Sequence, residues 1–365
     1  MASHRLILAC AVVLLGCAVD PIPLETDGGV PLEVVSVEDL GALPLPSEVA
    51  VGRDGASSGV IGGRLLWTFG DTFVTTPTSL DGSHVVTATG GWATVAEPLA
   101  LEHAIDADGV PAQLVPYTDD ELAENRADAL NGWALWPCGV IDTGAAEALV
   151  LFQRIERIEG SGFEGRGLAT ARIAPGAAVA GSRSAGDLFT RPTTDGGPGT
   201  PLYGVGGTAV IDEVAYLFAC ESLGGCTLAR APRARADQRD AYEFFDGTGW
   251  SDDASRAAVV LRNVGPALSL SYNPHLGRYL AVHSRLGTDD VVLRTAARPE
   301  GPWPGTGLTV PARDGEIVAA GEGTNYLAQE HAALRSEDGT QIVISYSRPL
   351  GAFRGEVRLA RITLR

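Results

Sequence analysis

Arg53-Asp54-Gly55-Ala56-Ser57-Ser58-Gly59-Val60-Ile61-Gly62-Gly63-Arg64-Leu65-Leu66-Trp67-Thr68-Phe69-Gly70-Asp71-Thr72-Phe73 reads as two short strands about a glycine turn, with one aspartate before the first strand and another after the second. A hairpin returns its chain to the edge where it began, so Asp54 and Asp71 are expected on the same edge. Similar strand–turn–strand units follow four more times. Units of this kind cannot bury their faces alone and must stack around an axis. The expected fold is all-β: a five-bladed β-propeller over residues 48–365, with acidic residues gathered at one mouth.

Working outward from that stretch, the first unit reads as strands near Ser58–Ile61, Arg64–Phe69 and His84–Val95. The second has Pro137–Asp142, Ala148–Ile155 and Gly167–Ile173; the third has Gly207–Ile211, Val214–Ala219 and Cys226–Ala231. The fourth has Ala267–Tyr272, Arg278–Ser284 and Val291–Ala296, and the last His331–Arg335, Gln341–Ser347 and Glu356–Thr363. Connections such as Asn273-Pro274-His275-Leu276-Gly277 are short and turn-like. Insertions such as residues 100–132 blur the period. One of them, Thr118–Leu130, carries the best helical signal, a Thr cap with Glu121 three residues on.

The 365 residues carry a net charge of −18 and no lysine; all 27 basic residues are arginine. That balance argues against nucleic acid or an anionic membrane surface as partner. His4-Arg5 and the apolar stretch Leu6 to Leu15 are expected to be a signal sequence, too short to span a bilayer. Leu14-Leu15-Gly16-Cys17 resembles a bacterial lipobox, which implies cleavage before Cys17 and its acylation; the alternative is an ordinary secretory signal. Residues 1–16 are then a signal peptide and residues 17–47, rich in Pro, Gly and acidic residues, a flexible tether. The expected location is the bacterial cell envelope, on the outer membrane or cell surface, with the lipid as the only membrane contact and the body a monomer. Cys220 and Cys226 flank a turn between two strands and are expected to form a disulfide in an oxidising compartment, leaving Cys138 as a small buried apolar residue.

A family resemblance rests on pieces spread over residues 48–350. Arg53-Asp54-Gly55 followed by Leu66-Trp67-Thr68-Phe69-Gly70-Asp71-Thr72 resembles the opening of the bacterial domain-of-unknown-function family 4185. Trp136-Pro137, Tyr242-Glu243-Phe244-Phe245-Asp246-Gly247 with Trp250, Tyr272-Asn273 with Gly277-Arg278-Tyr279-Leu280, Gly301-Pro302-Trp303 and Ser345-Tyr346-Ser347 follow in the same order. That family is similar to five-bladed glycoside hydrolases of the arabinanase and furanosidase kind. Some members are grouped as endo-D-arabinanases of glycoside hydrolase family 183. The resemblance implies a hydrolase acting on a furanose-containing or related polysaccharide.

In a propeller, residues just before each inner strand and just after the second strand line one face. This reading selects Asp54, Asp71, Trp136, Arg154, Glu221, His283, Glu330, His331 and Arg348. Glycoside hydrolysis needs two carboxylates, one as acid and one as base or nucleophile. Asp54 is expected to be the base or nucleophile, its position matching that of the base in related hydrolases. Asp71 either shares that work or makes an Asx-type turn at a strand end. Glu221 leads as general acid, held by the neighbouring disulfide; otherwise it is a solvated hairpin residue. Glu330 is a second acid candidate. His331 either contacts substrate or packs as a satisfied core histidine, and Trp136 either stacks on a sugar or packs between blades. Arg154, His283 and Arg348 complete the expected substrate contacts.

Other motifs carry less. Asp106-Ala107-Asp108-Gly109 lacks the further ligands of an EF-hand loop, and no Cys/His cluster has zinc-ligand spacing. Gly204-Val205-Gly206-Gly207 precedes a strand rather than a helix, so it is not a phosphate loop. No metal or other cofactor is expected. The expected partner is a polysaccharide or oligosaccharide, and the competing reading is a surface lipoprotein that binds glycan or protein without cleaving it.

Overall fold

The computed structural model describes residues 32–128, 131–159, 162–191, 201–221, 225–313 and 316–365, with the backbone alone at Glu221. The expected signal peptide, the expected acylation site Cys17 and residues 17–31 of the expected tether lie outside the described residues.

Five separate antiparallel sheets account for the strands. Their innermost strands are Ala56–Ile61, Trp133–Ile141, Gly207–Ile211, Leu268–Asn273 and Tyr326–Glu330. Each touches the next, and the last returns to the first, so they close a ring around a central axis. The fold is the five-bladed β-propeller expected from the repeats.

The second strand of each blade lies between two neighbouring blades and is buried on both faces. It therefore reads as an apolar run rather than an alternation. Ala148-Leu149-Val150-Leu151-Phe152 and Leu65-Leu66-Trp67 are wholly buried in this way. The core is accordingly divided into one cluster per blade interface. Leu66, Leu135 and Val150 join blades one and two, Leu151 and Leu217 join two and three, and Phe218 and Leu270 join three and four. Val282 and Ile344 join four and five, and Trp67 and Leu359 join five and one.

Two boundaries differ from the sequence reading. Val34–Ala42, assigned to the tether, is a strand paired antiparallel with the C-terminal strand Arg354–Leu364. It completes the fifth blade, and Arg358 holds Asp39 through two hydrogen bonds. Glu38-Asp39, Gly41 and two register shifts break the alternation that the three valines begin, which disguised it. The inner strand of the fifth blade is Tyr326–Glu330, not His331–Arg335, which begins a short turn of 3-10 helix at Ala332–Leu334. A register shift between Tyr326 and Gln329, with Leu327 at φ +54°, breaks the alternation that marks a strand.

The expected helix is present at Asp119–Ala127, its Thr118 and Glu121 side chains satisfying each other's backbone N–H groups. Cys220 and Cys226 are directly opposite in the hairpin register and form a disulfide. Cys138 is free, and burial pushes its thiol up to about 12.

Candidate active site

The first blade is where the chain departs from regular pairing. Its inner strand is interrupted: Ala50–Arg53 pairs with the far part of Arg64–Val74, and Ala56–Ile61 with its near part. Asp54 and Gly55 fill the break. The Asp54 N–H donates to the Asp71 carbonyl at 3.1 Å, and the Gly70 N–H donates to the Asp54 carbonyl at 2.9 Å. Gly55 takes φ +54°, and a side chain there would press on Leu327 Cδ1 at 3.3 Å. The break thus turns Asp54 toward the axis while both strands continue past it.

Asp54 and Asp71 come together as the hairpin reading required. Asp54 Oδ1 accepts from the Asp71 backbone N–H at 2.9 Å, and its Oδ2 accepts from the Tyr326 hydroxyl at 2.7 Å. Asp71 Oδ1 accepts from Trp136 Nε1 at 3.0 Å. Burial pushes both carboxyls up, Asp71 to about 7, where the neighbouring Asp54 charge adds to the effect. The Trp136 N–H and the Arg157 charge oppose that rise at Asp71, and the Tyr326 hydroxyl and Asp71 N–H oppose it at Asp54. Two like charges this close cannot both be held in a half-buried site, so the pair retains one proton into the neutral range. The two donors on Asp54 favour placing the negative charge there.

Asp54 lines a cavity of about 240 Å³ to which all five blades contribute, through Asp54, Trp136, Val205, Ala267 and Tyr326, and Gly70, next to Asp71, lies in the same wall. Gln153 and Gln329 add amide groups to its wall. A second cavity, of about 500 Å³, opens at the opposite end of the axis between Val60, Asp142, Asp212 and Tyr272. Ser57, Cys138 and Gln329 line both.

Trp136 stands in the mouth, as expected, but as the donor to Asp71 as much as a ring surface. Glu221 ends the second strand of blade three, with its backbone paired to Gly225. Its side chain lies outside the described residues.

The other candidates are placed elsewhere. Glu330 is buried at the far end of the inner strand, where it takes hydrogen bonds from Ser271 Oγ at 2.6 Å and Arg335 Nε at 2.8 Å. The misplaced strand start put it at the mouth; moving the strand five residues upstream sends it to the opposite cavity, which it lines. His331 is a satisfied core residue, within hydrogen-bond distance of Ser58 at 2.8 Å and Ser345 at 2.7 Å, its ring tilted against that of Trp67. Burial pulls its ring down to about 3, so it stays neutral.

His283 is fully buried beside the start of the fourth inner strand, its Nδ1 on the Ser284 carbonyl at 2.8 Å, and burial pulls it down to about 4. Arg154 is held by Glu121 at 2.9 Å and Asp187 at 3.1 Å and lies over the Trp133 ring. Arg348 is bound to Glu356 at 2.9 Å and to the Ala319 carbonyl. None of these five is hydrogen-bonded or ion-paired to the Asp54–Asp71 pair. Sequence reasoning missed Tyr326, which precedes a recognisable strand by one turn of irregular backbone and carries no motif.

Residues 205–320 match a family model described as a domain of unknown function (DUF4185). The match covers blades three and four, part of the stretch 48–350 over which the sequence resemblance ran, and the opening piece Arg53–Thr72 lies outside it. No curated protein matches the chain. Among solved structures, a family 117 glycoside hydrolase from Zobellia galactanivorans is similar with a TM-score of 0.52 and 12% identity, over 90% of each chain. An α-L-arabinofuranosidase from Podospora anserina, solved with cellotriose, gives a TM-score of 0.49 at 12% identity, over 90% of this chain and 96% of its own. A GH43 enzyme from Xanthomonas citri gives 0.48 at 16% identity, over 88% and 90%. At such identities the likeness to the first of these is one of fold alone.

Proposed function

We propose that this DUF4185 protein is a glycoside hydrolase acting on a furanose-containing, arabinan-like or related polysaccharide. The observation that carries the reading is Asp54, oriented by the Asp71 N–H and the Tyr326 hydroxyl at the base of a five-walled cavity. A carboxylate with both oxygens held in place is suited to take a proton from water or to attack an anomeric carbon. Asp71, pushed up to about 7, holds the shared proton and so leaves the charge on Asp54. The leaving oxygen needs a proton from an acid on the other side of the ring, and Glu221, at the end of its strand beside the disulfide, is the proposed donor. We place the protein at the cell envelope, anchored through a lipid on Cys17, on the strength of the lipobox-like Leu14-Leu15-Gly16-Cys17.

A second reading, glycan binding without cleavage, is favoured by one observation. Among the described residues, the carboxylates of Glu121, Asp187 and Glu330 are all held by arginines rather than facing the pair. A hydrolysis assay on arabinan and a panel of other polysaccharides, with Asp54→Asn and Glu221→Gln, separates the two. Cleavage lost in both variants supports the hydrolase and its carboxylates. Glycan binding with no cleavage by the wild type supports the second reading.

A further inference from the structure

Blade two rises above the mouth. Its second and third strands, Ala148–Ile158 and Gly162–Ile173, remain paired beyond the level at which Gln153 faces Trp136. Five further residues carry the hairpin about 16 Å outward at the usual strand rise. Phe163 stands near its end, opposite Arg157, and is 60% exposed. Its ring centroid is 5.5 Å from that of Trp136, whose Nε1 holds Asp71. An unbroken aromatic path therefore leads from the carboxylate pair out to solvent.

The exposure of Phe163 is not a requirement of the hairpin. Neighbouring outward positions carry charge: Glu164 pairs with Arg166, and so does Glu156 across the strands. Phe163 does not stand alone: with Trp136 it forms a two-ring aromatic surface that continues the mouth outward. The mouth cavity, at about 240 Å³, is small beside the usual range for whole ligands of roughly 300–1,000 Å³. A ligand longer than one ring has to leave it, and Phe163 is the exposed ring packed against Trp136 of its wall.

Resting on the carbohydrate reading of the mouth, we infer that Phe163 forms a second sugar subsite. One ring occupies the cavity beside Asp54, and the next unit of the same oligosaccharide lays its C–H face on Phe163. The ligand class is a neutral oligosaccharide of at least two units, entering along blade two. Phe353 supplies the internal control. It is 72% exposed on the hairpin of blade five and packs on Phe73 at 5.7 Å rather than on Trp136.

Calorimetric titration of the full protein with arabinose, arabinobiose, xylose and xylobiose tests the inference. Phe163→Ala should weaken binding of the better disaccharide about fivefold to tenfold, the size expected for one aromatic contact. Binding of the matching monosaccharide should be unchanged, Phe163→Trp should restore the disaccharide, and Phe353→Ala should have no effect. Equal loss for both sugar lengths, no loss in Phe163→Ala, or no binding of any of these sugars by the wild type would overturn it. Length-dependent binding that vanishes in Phe163→Ala, in a protein that cleaves no glycan, leaves the subsite standing and removes the hydrolase.

Discussion

Asp54 Oδ1 takes its hydrogen bond from the backbone N–H of Asp71, 2.9 Å away, so the two carboxyls are neighbours on adjacent strands rather than partners facing each other across the cavity. Their separation is set by strand pairing, not by side-chain choice. One therefore acts on the other's charge, and the opposing acid of a glycosidase has to come from another blade.

Removing the Asp54 charge should release Asp71. Burial remains as a cause of the raised carboxyl, but the repulsion from Asp54 disappears in Asp54→Asn, so Asp71 should titrate below its wild-type value of about 7. Carbon-13 carboxyl titration measures this directly. An Asp71 that titrates at the same pH in both proteins would show that the pair is not coupled.

The same raised carboxyl makes stability depend on pH. The folded protein keeps a proton on Asp71 that the unfolded chain releases, so stability falls as pH rises from about 4 toward 7 and the penalty is complete above 7. Asp71→Asn should therefore be more stable than the wild type at pH 8, by an amount of order 2 kcal/mol, and closer to it at pH 4. Urea midpoints at the two pH values decide it. A wild type that gains on the variant between pH 4 and pH 8 would reverse the sign and remove the argument.

Glu330 should matter for folding and not for the mouth. Its carboxylate is buried against Arg335, with Arg335 Nη2 2.6 Å from Oε1. Arg335→Ala leaves that charge unpaired and should cost about 3–5 kcal/mol. Glu330→Gln, where it folds, should retain sugar binding within about twofold, because the residue lines the opposite cavity. Chemical denaturation and calorimetry measure the two effects; a binding loss in a folded Glu330→Gln protein would return Glu330 to the site.

Removing the chain up to residue 42 should damage the propeller. Val34–Ala42 covers the outer edge of the last blade, and its loss exposes the row of backbone groups on Arg354–Leu364. A chain starting at residue 43 should unfold at lower temperature and self-associate, measured by calorimetry and light scattering. Unchanged behaviour would mean that the strand is a passive extension.

What the sequence determined by itself is local. Gly62-Gly63 between apolar runs specifies a hairpin, and a hairpin has to bring Asp54 and Asp71 to one edge, so that half of the site was legible. The same holds for the Thr118–Glu121 cap, the cross-strand Cys220–Cys226 pair and the number of blades, since each follows from spacing along a few residues. Tertiary structure decided everything that depends on packing between distant segments. Tyr326 meets Asp54 only because the ring of five blades closes, and no interval in the chain encodes that contact. Val34–Ala42 became a strand because Arg354–Leu364 offered a free edge, and Glu38-Asp39 and Gly41 interrupt the alternation that would have marked it. Glu330 and His331 moved to the far end and into the core because one irregular stretch around Leu327 shifts the strand start, and in a propeller that shift decides which end of the axis a side chain serves.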